Sequence, residues 1–283
     1  MHKIKELLKE LYFFIFKRQH KFQPVFLIGC GRSGTTILGN TIGNHSSICY
    51  LNEKRSIWHQ AYPNFDIWSG MEKSPKLIVN ESDNEIKKTI LLRKLFHKQQ
   101  VFNRGEILLE KLPINNFRLD FIESAFPEAK YIYLHRNGVE VAKSIEKMIE
   151  NRNWFGNDET KWKLIQNELK VDKNKSYSNY EKGLLEWNLS LEYSEKFFDT
   201  INKDRYYALS YESFLENPKY QVEKIFQFLN LKYSKDLIED ITKNITRRSQ
   251  KVITLTENDK SFGGNKLNLS IENKLRQTCP NYI

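Results

Sequence analysis

FLIGCGRSGTTILGNTI, residues 26–42, is the stretch from which the rest of the chain can be read. The apolar run 25–28 enters a turn carrying Gly29, Gly31 and Gly34, and the chain leaves through Ile37, Leu38, Thr41 and Ile42 at helical spacing. Strand, glycine-rich loop and helix in that order bring free backbone N–H groups and a helix N-terminus together on an anion. Gly29-x4-Gly34 followed by Thr35-Thr36 is a P-loop in outline, but Thr35 stands where the lysine is expected. Arg32 supplies a cation earlier in the loop. The loop therefore suits a phosphate-like group other than the triphosphate of an ordinary NTPase. The plain alternative is a tight turn whose glycines serve sterics alone.

Composition narrows the partners. With 40% apolar and 13% aromatic residues among 283, the chain has the make-up of a packed enzyme and not of a disordered or fibrous protein. Its 45 basic against 35 acidic side chains favour anionic partners, namely a nucleotide, an acidic glycan, nucleic acid or a membrane surface. Most of these lysines fall on amphipathic helices, where solvated faces explain them. Cys30, Cys49 and Cys279 show no metal-ligand spacing and no even-numbered framework, which favours a reducing compartment.

Residues 1–23 are expected as an N-terminal amphipathic helix, with Leu7, Leu8, Leu11 and Phe14 at helical spacing and lysines between. The apolar core 11–16 is too short to span a bilayer, Lys17 and Arg18 end it, and no small-residue cleavage site follows. Packing on the domain is the first reading, and peripheral membrane contact through residues 1–20 the second. The expected location is cytoplasmic, peripheral to the membrane if that second reading holds.

Further on, a helix is expected over 83–102, with Ile86, Ile90, Leu91 and Leu95 on one face, then a strand over 107–109 and a helix over 116–125. The near-continuous apolar run 129–134 reads as a strand covered on both faces. It breaks at His135-Arg136-Asn137-Gly138 and a helix follows over about 139–148. Residues 151–182 are polar and read as an insertion or mobile lid. Helices are expected over 184–201, 220–229 and 237–245, and a strand over 205–209. The expected architecture is α/β, a single P-loop-type domain over 24–283 with a central parallel sheet flanked by helices on both faces.

A second anion site is legible after the strand 129–134. Arg136 stands where the strand ends, and Ser144 falls in the second turn of the next helix, able to face back toward it. An arginine fork plus a hydroxyl makes a cradle for a phosphate. A surface Arg–carboxylate pair and an ordinary helix serine would account for the same residues.

With both sites in view the chain resembles a known family. GCGRSGTT, residues 29–36, is similar to the 5′-phosphosulfate loop of sulfotransferases that use 3′-phosphoadenosine 5′-phosphosulfate (PAPS). YIYLHRNGVEVAKS, residues 131–144, resembles their 3′-phosphate element, including the arginine-to-serine spacing. The likeness extends over about 25–231 and is nearest to the branch with tyrosylprotein, carbohydrate and bacterial sulfotransferases. It implies that Arg32, Ser33, Gly34, Thr35 and Thr36 wrap the 5′-phosphate and sulfuryl group, and that Arg136 and Ser144 hold the 3′-phosphate. It implies Glu53 as catalytic base and Lys111 at the transferring group. Tyr211 and Ser249 fall near nucleotide contacts of that branch. Gly31 stands where the family commonly has proline, which would loosen the start of the loop. For the nucleotide-covering C-terminal segment the candidates are Arg247, Arg248, Lys251 and Lys260.

The chemistry implied is in-line transfer from PAPS to an acceptor hydroxyl, leaving the bisphosphate PAP, with no metal required. Such transfer needs charge stabilisation and positioning more than covalent help. Arg32, Lys111 and the loop amides would meet charge growing on the leaving oxygen, and Glu53 would take the hydroxyl proton. Glu53 could instead be a loop carboxylate paired with Lys54 or Arg55; among His45, His59 and His135, His59 is the rival base. A glycan, glycolipid or similar acceptor is the first choice; Trp58, Tyr62, Trp68, Trp154 and Phe155 could supply stacking surfaces for a sugar, although each taken singly reads first as a core residue. Competing functions are a P-loop nucleotide kinase or NTPase, against which the missing lysine counts, and a non-catalytic polyanion-binding protein. No nucleic-acid platform stands out. The oligomeric state is not readable.

Overall fold

The computed structural model describes residues 2–19, 21–68 and 73–245. The chain opens with α1 (His2–Phe16), followed by β1 (Pro24–Ile28), α2 (Thr35–Ile42), β2 (Ile48–Asn52), α3 (Arg55–Ala61), α4 (Ile86–Phe102), β3 (Ile107–Lys111) and α5 (Leu119–Ala125). It continues through β4 (Lys130–His135), α6 (Gly138–Asn151), α7 (Thr160–Leu169), α8 (Asn179–Phe198), β5 (Tyr206–Ser210), α9 (Tyr211–Glu216), α10 (Pro218–Phe228) and α11 (Lys235–Thr242). The strands pair in parallel in the order β2-β3-β1-β4-β5.

Every residue of β1 is buried, because alternate side chains enter different cores. Phe26 and Ile28 join Leu108, Tyr131 and Tyr133 in the larger core, with Trp58 of α3, Phe96 of α4, Phe121 of α5, Ile145 of α6 and Trp187 of α8. Val25 and Leu27 join Leu109, Ile132 and Leu134 in the other, with Leu38 and Ile42 of α2, Val222 of α10 and Ile238 of α11. This is the two-faced burial expected of an all-parallel sheet, and emptying a site such as Leu38 would cost about 2–5 kcal/mol.

The order of strands fixes where a ligand can enter. From β1 the chain crosses through α2 on one face, and from β4 it crosses through α6 on the other. Their departure to opposite faces opens a crevice at the carboxyl ends of β1 and β4, the topological switch point of the sheet.

Three features were not legible in the sequence. The edge strand β2 was not foreseen: its five residues follow a helix and turn too closely to show a period of their own. On α4 the face with Ile86, Ile90 and Leu91 is the exposed one, while Thr89, Leu92, Phe96, Gln100 and Val101 are buried. The stretch 151–182, read as polar and lid-like, contains α7 and sends Phe155, Trp162 and Ile165 into the larger core.

Candidate active site

All five strands deliver residues to one cleft of about 530 Å³ at their carboxyl ends. Past β1 come Arg32, Gly34, Thr35 and Thr36; past β2, Glu53 and Arg55; past β3, Leu112 and Pro113; past β4, Arg136; past β5, Tyr211. Ser144 and Met148 add one side of α6, their four-residue spacing keeping them on one face, and Arg152 follows just past its end. The volume lies within the range of small-molecule sites.

The loop after β1 is tightly specified. Gly34 has φ +96°, and a Cβ there would stand 2.3 Å from the Tyr211 ring, so both backbone and space demand glycine. As Gly34 carries no capping side chain, α2 begins with its amides uncapped. Ser33 Oγ is buried and has no hydrogen-bond partner among the described residues. At Gly31 a Cβ would lie 2.7 Å from the Trp154 ring, which packs down on it.

Arg32 adopts φ +74°, a strained conformation for a non-glycine residue of the kind that collects at functional sites. Its Nε donates to Ser144 Oγ at 3.1 Å across the crevice. Arg136 Nη1 donates to the Arg32 carbonyl at 3.1 Å, its Nε donates to Glu140 Oε2 at 2.9 Å, and its guanidinium lies 4.5 Å from the centre of the Tyr211 ring. The carboxylate pair and the cleft position, offered as alternatives by the sequence, thus coexist. Partial withdrawal from water, with Arg136 and Arg152 nearby, holds the Arg32 guanidinium below the usual arginine range. Such crowding of cations favours an anion between them.

Lys111 is fully buried, and its Nζ donates to Thr36 Oγ1 at 2.9 Å and to Glu53 Oε1 at 2.6 Å. An ammonium has three donors, so one is left for another acceptor. Glu53 remains half-exposed, in a left-handed turn (φ +54°), with its amide bonded to the Lys111 carbonyl at 2.8 Å. It pairs with Lys111 and not with Lys54 or Arg55; Arg55 pairs with Asp66.

Behind Lys111, Glu110 is buried on the opposite side of β3, accepting from Trp58 Nε1 at 3.0 Å and Asn115 Nδ2 at 2.6 Å. Burial pushes its carboxyl up to about 7, against the pull of Trp58 and Arg118. The same burial brings Arg118 down to about 9.

Trp68 and Trp154 line the cleft, whereas Trp58, Tyr62 and Phe155 are core residues and offer no stacking surface. Sequence reasoning missed Lys161, Arg152, Met148 and Asn153. Lys161 is buried at 2.5 Å from Glu186 and 4.5 Å from the centre of the Trp154 ring, while Trp154 Nε1 donates to the other Glu186 oxygen at 2.9 Å. The four-residue spacing after Ser144 could have pointed to Met148 and Arg152; nothing local marked Lys161. The cleft lining contains no histidine among the described residues. His59 lies on α3 outside it, His45 bonds the Lys232 carbonyl at 2.9 Å, and burial lowers His135 to about 4. Ser249 and the C-terminal cations proposed with it lie outside the described residues.

The family model described as "Sulfotransferase family" matches residues 24–235, three quarters of the chain. The chain belongs to the sulfotransferase family. Its fold is shared with a sulfotransferase from Alicyclobacillus acidocaldarius (TM-score 0.53, 14% identity, covering 90% of this chain and 94% of that one). The sulfotransferase domain from the curacin biosynthetic pathway is similar too (TM-score 0.51, 15% identity, 87% and 98% covered). So is sulfotransferase STF9 from Mycobacterium avium (TM-score 0.54, 11% identity, 95% and 81% covered). An uncharacterized protein of Aquifex aeolicus (strain VF5) is 29% identical over 126 residues, covering 43% of this chain and 16% of that relative's length.

Proposed function

We propose that this sulfotransferase-family protein moves a sulfuryl group from PAPS to an acceptor hydroxyl, and that the acceptor is carried on a glycan or glycolipid. The supporting observation is the crevice in which the Arg32 and Arg136 side chains meet Ser144 beside the uncapped start of α2, with Lys111 and Glu53 on its flank. The residues suit the donor: an orphaned Ser33 hydroxyl, open helix amides and mutually crowded guanidinium groups all call for anionic oxygens.

In this reading Ser33, Gly34, Thr35 and Thr36 hold the 5′ end, and Arg136 and Ser144 the 3′-phosphate, with Tyr211 against the loop. PAPS supplies an activated sulfuryl group: the acceptor oxygen forms a bond to sulfur as the bond to the bridging oxygen breaks, and the electron pair stays on that oxygen. In the same reading Arg32 and Lys111 meet that charge, and Glu53 accepts the hydroxyl proton. No metal enters the proposed step. Trp68 and Trp154 offer the acceptor flat apolar faces.

We also propose a cytoplasmic place of action, with residues 1–20 in peripheral contact with a membrane, which would suit a lipid-borne acceptor. The experiment is a screen of glycan and glycolipid acceptors with ³⁵S-labelled PAPS. Label should pass to a hydroxyl-bearing acceptor. Transfer from γ-labelled ATP and none from PAPS would replace the reading with a kinase.

A further inference from the structure

Of the exposed large hydrophobic residues outside the cleft, nearly all lie on two helices that pack together. On α1 they are Ile4, Leu7, Leu8, Leu11, Phe14 and Ile15, and on α4 they are Ile86, Ile90 and Leu91. Leu7 is 71% exposed and Ile86 76%. The helices are joined by Phe13, edge-on to His97 at 5.3 Å, and by Tyr12 and Phe102 at 6.0 Å; Glu10 holds Lys94 and Lys98. Phe13 is the one α1 side chain that is buried among those described. The remaining apolar positions, at i, i+3, i+4, i+7, i+10 and i+11 from Ile4, form a stripe facing away from the domain.

Such a stripe on a folded chain marks an interaction surface, and its charge decides the partner. Residues 1–21 and 86–102 together hold eleven Lys and Arg against two Glu; on α4, Lys94 and Lys98 share Glu10, Lys88 pairs with Glu85 and Arg93 turns to Glu128. Two copies meeting through this face would set lysines against lysines. A bilayer presents an apolar interior and anionic headgroups in one plane, and α1 and α4, about 22 and 25 Å long, can lie along it. Among the described residues no helix is long and apolar enough to cross a membrane.

We propose that α1 and the outer face of α4 together form a docking surface for an anionic lipid bilayer. This goes beyond contact through residues 1–20 by adding α4 and naming the headgroup charge. It does not depend on the sulfuryl-transfer reading, because its test is binding and not turnover.

The test is co-sedimentation of the full chain with vesicles of phosphatidylcholine alone and of phosphatidylcholine mixed with phosphatidylglycerol, whose headgroup is anionic. The protein should partition to the anionic vesicles about tenfold or more better, and lose this advantage in high salt. Leu7→Ser/Leu11→Ser on α1 and Ile90→Ser/Leu91→Ser on α4 should each cut binding about tenfold, with melting unchanged because these side chains are exposed. Lys9→Glu/Lys87→Glu should cut binding to anionic vesicles only. Absence of binding, equal binding to both vesicles, or no effect of the α4 pair would overturn the proposal. So would a vesicle-free dimer dissolved by the α1 pair, which would give the face another occupant.

Discussion

Arg32 Nε reaches across the switch-point crevice to Ser144 Oγ at 3.1 Å, joining residues 112 apart in sequence. One comes from the loop after β1 and the other from the helix after β4, so the two motifs proposed to bind anions share one cleft. Arg136→Ala should weaken a 3′-phosphorylated nucleotide about tenfold to a hundredfold, the range of a charge-assisted hydrogen bond, and leave 5′-AMP nearly unchanged. Calorimetric titration of both ligands checks the ratio.

Glu53→Gln keeps the size of the side chain and a partner for Lys111 but removes the proposed proton acceptor. Turnover should fall about 10²–10⁴-fold while affinity for the donor product holds within about twofold. Single-turnover rates beside calorimetry separate the two; a variant at full speed would move the base role elsewhere.

Gly34→Ala meets two obstacles, a left-handed φ of +96° and the Tyr211 ring. Adding a Cβ in that conformation costs about 1–2 kcal/mol, and displacing the ring adds to it. A lowered Tm together with weaker nucleotide binding is expected, and Tyr211→Ala in the same chain should recover part of the loss.

Glu110 gives a pH dependence of known sign. With its folded carboxyl raised from 4.5 to about 7, the native state binds more protons than the unfolded chain between those values. Stability from this group is therefore greatest in acid and is lost as pH rises from about 4.5 through about 7. Denaturant unfolding of Glu110→Gln at pH 5 and pH 7.5 should show a smaller difference than the parent chain.

Why some of this was legible and some not follows from particular residues. β1, β4 and their loops could be read because a buried parallel strand is a solid apolar run and because Gly34, Arg32 and Arg136 belong to short-range patterns. The face of α4 that meets the core could not be read, since Ile86, Ile90 and Leu91 satisfy helical periodicity as well as Leu92 and Phe96 do, and periodicity does not say which stripe meets the core. Trp58 and Tyr62 were candidate binding surfaces because composition cannot tell a buried aromatic from an exposed one. Lys161 was invisible: its place in the cleft depends on Glu186, on another helix 25 residues away.

One cleft is proposed to grip an adenosine donor at both its anionic ends, the 3′-phosphate and the 5′-phosphosulfate. Thermal unfolding of the unmodified chain with 3′,5′-adenosine bisphosphate and with 5′-AMP, at equal concentrations, tests it most directly. The account predicts a rise in Tm with the bisphosphate that 5′-AMP does not approach; equal shifts, or none from either, would contradict it.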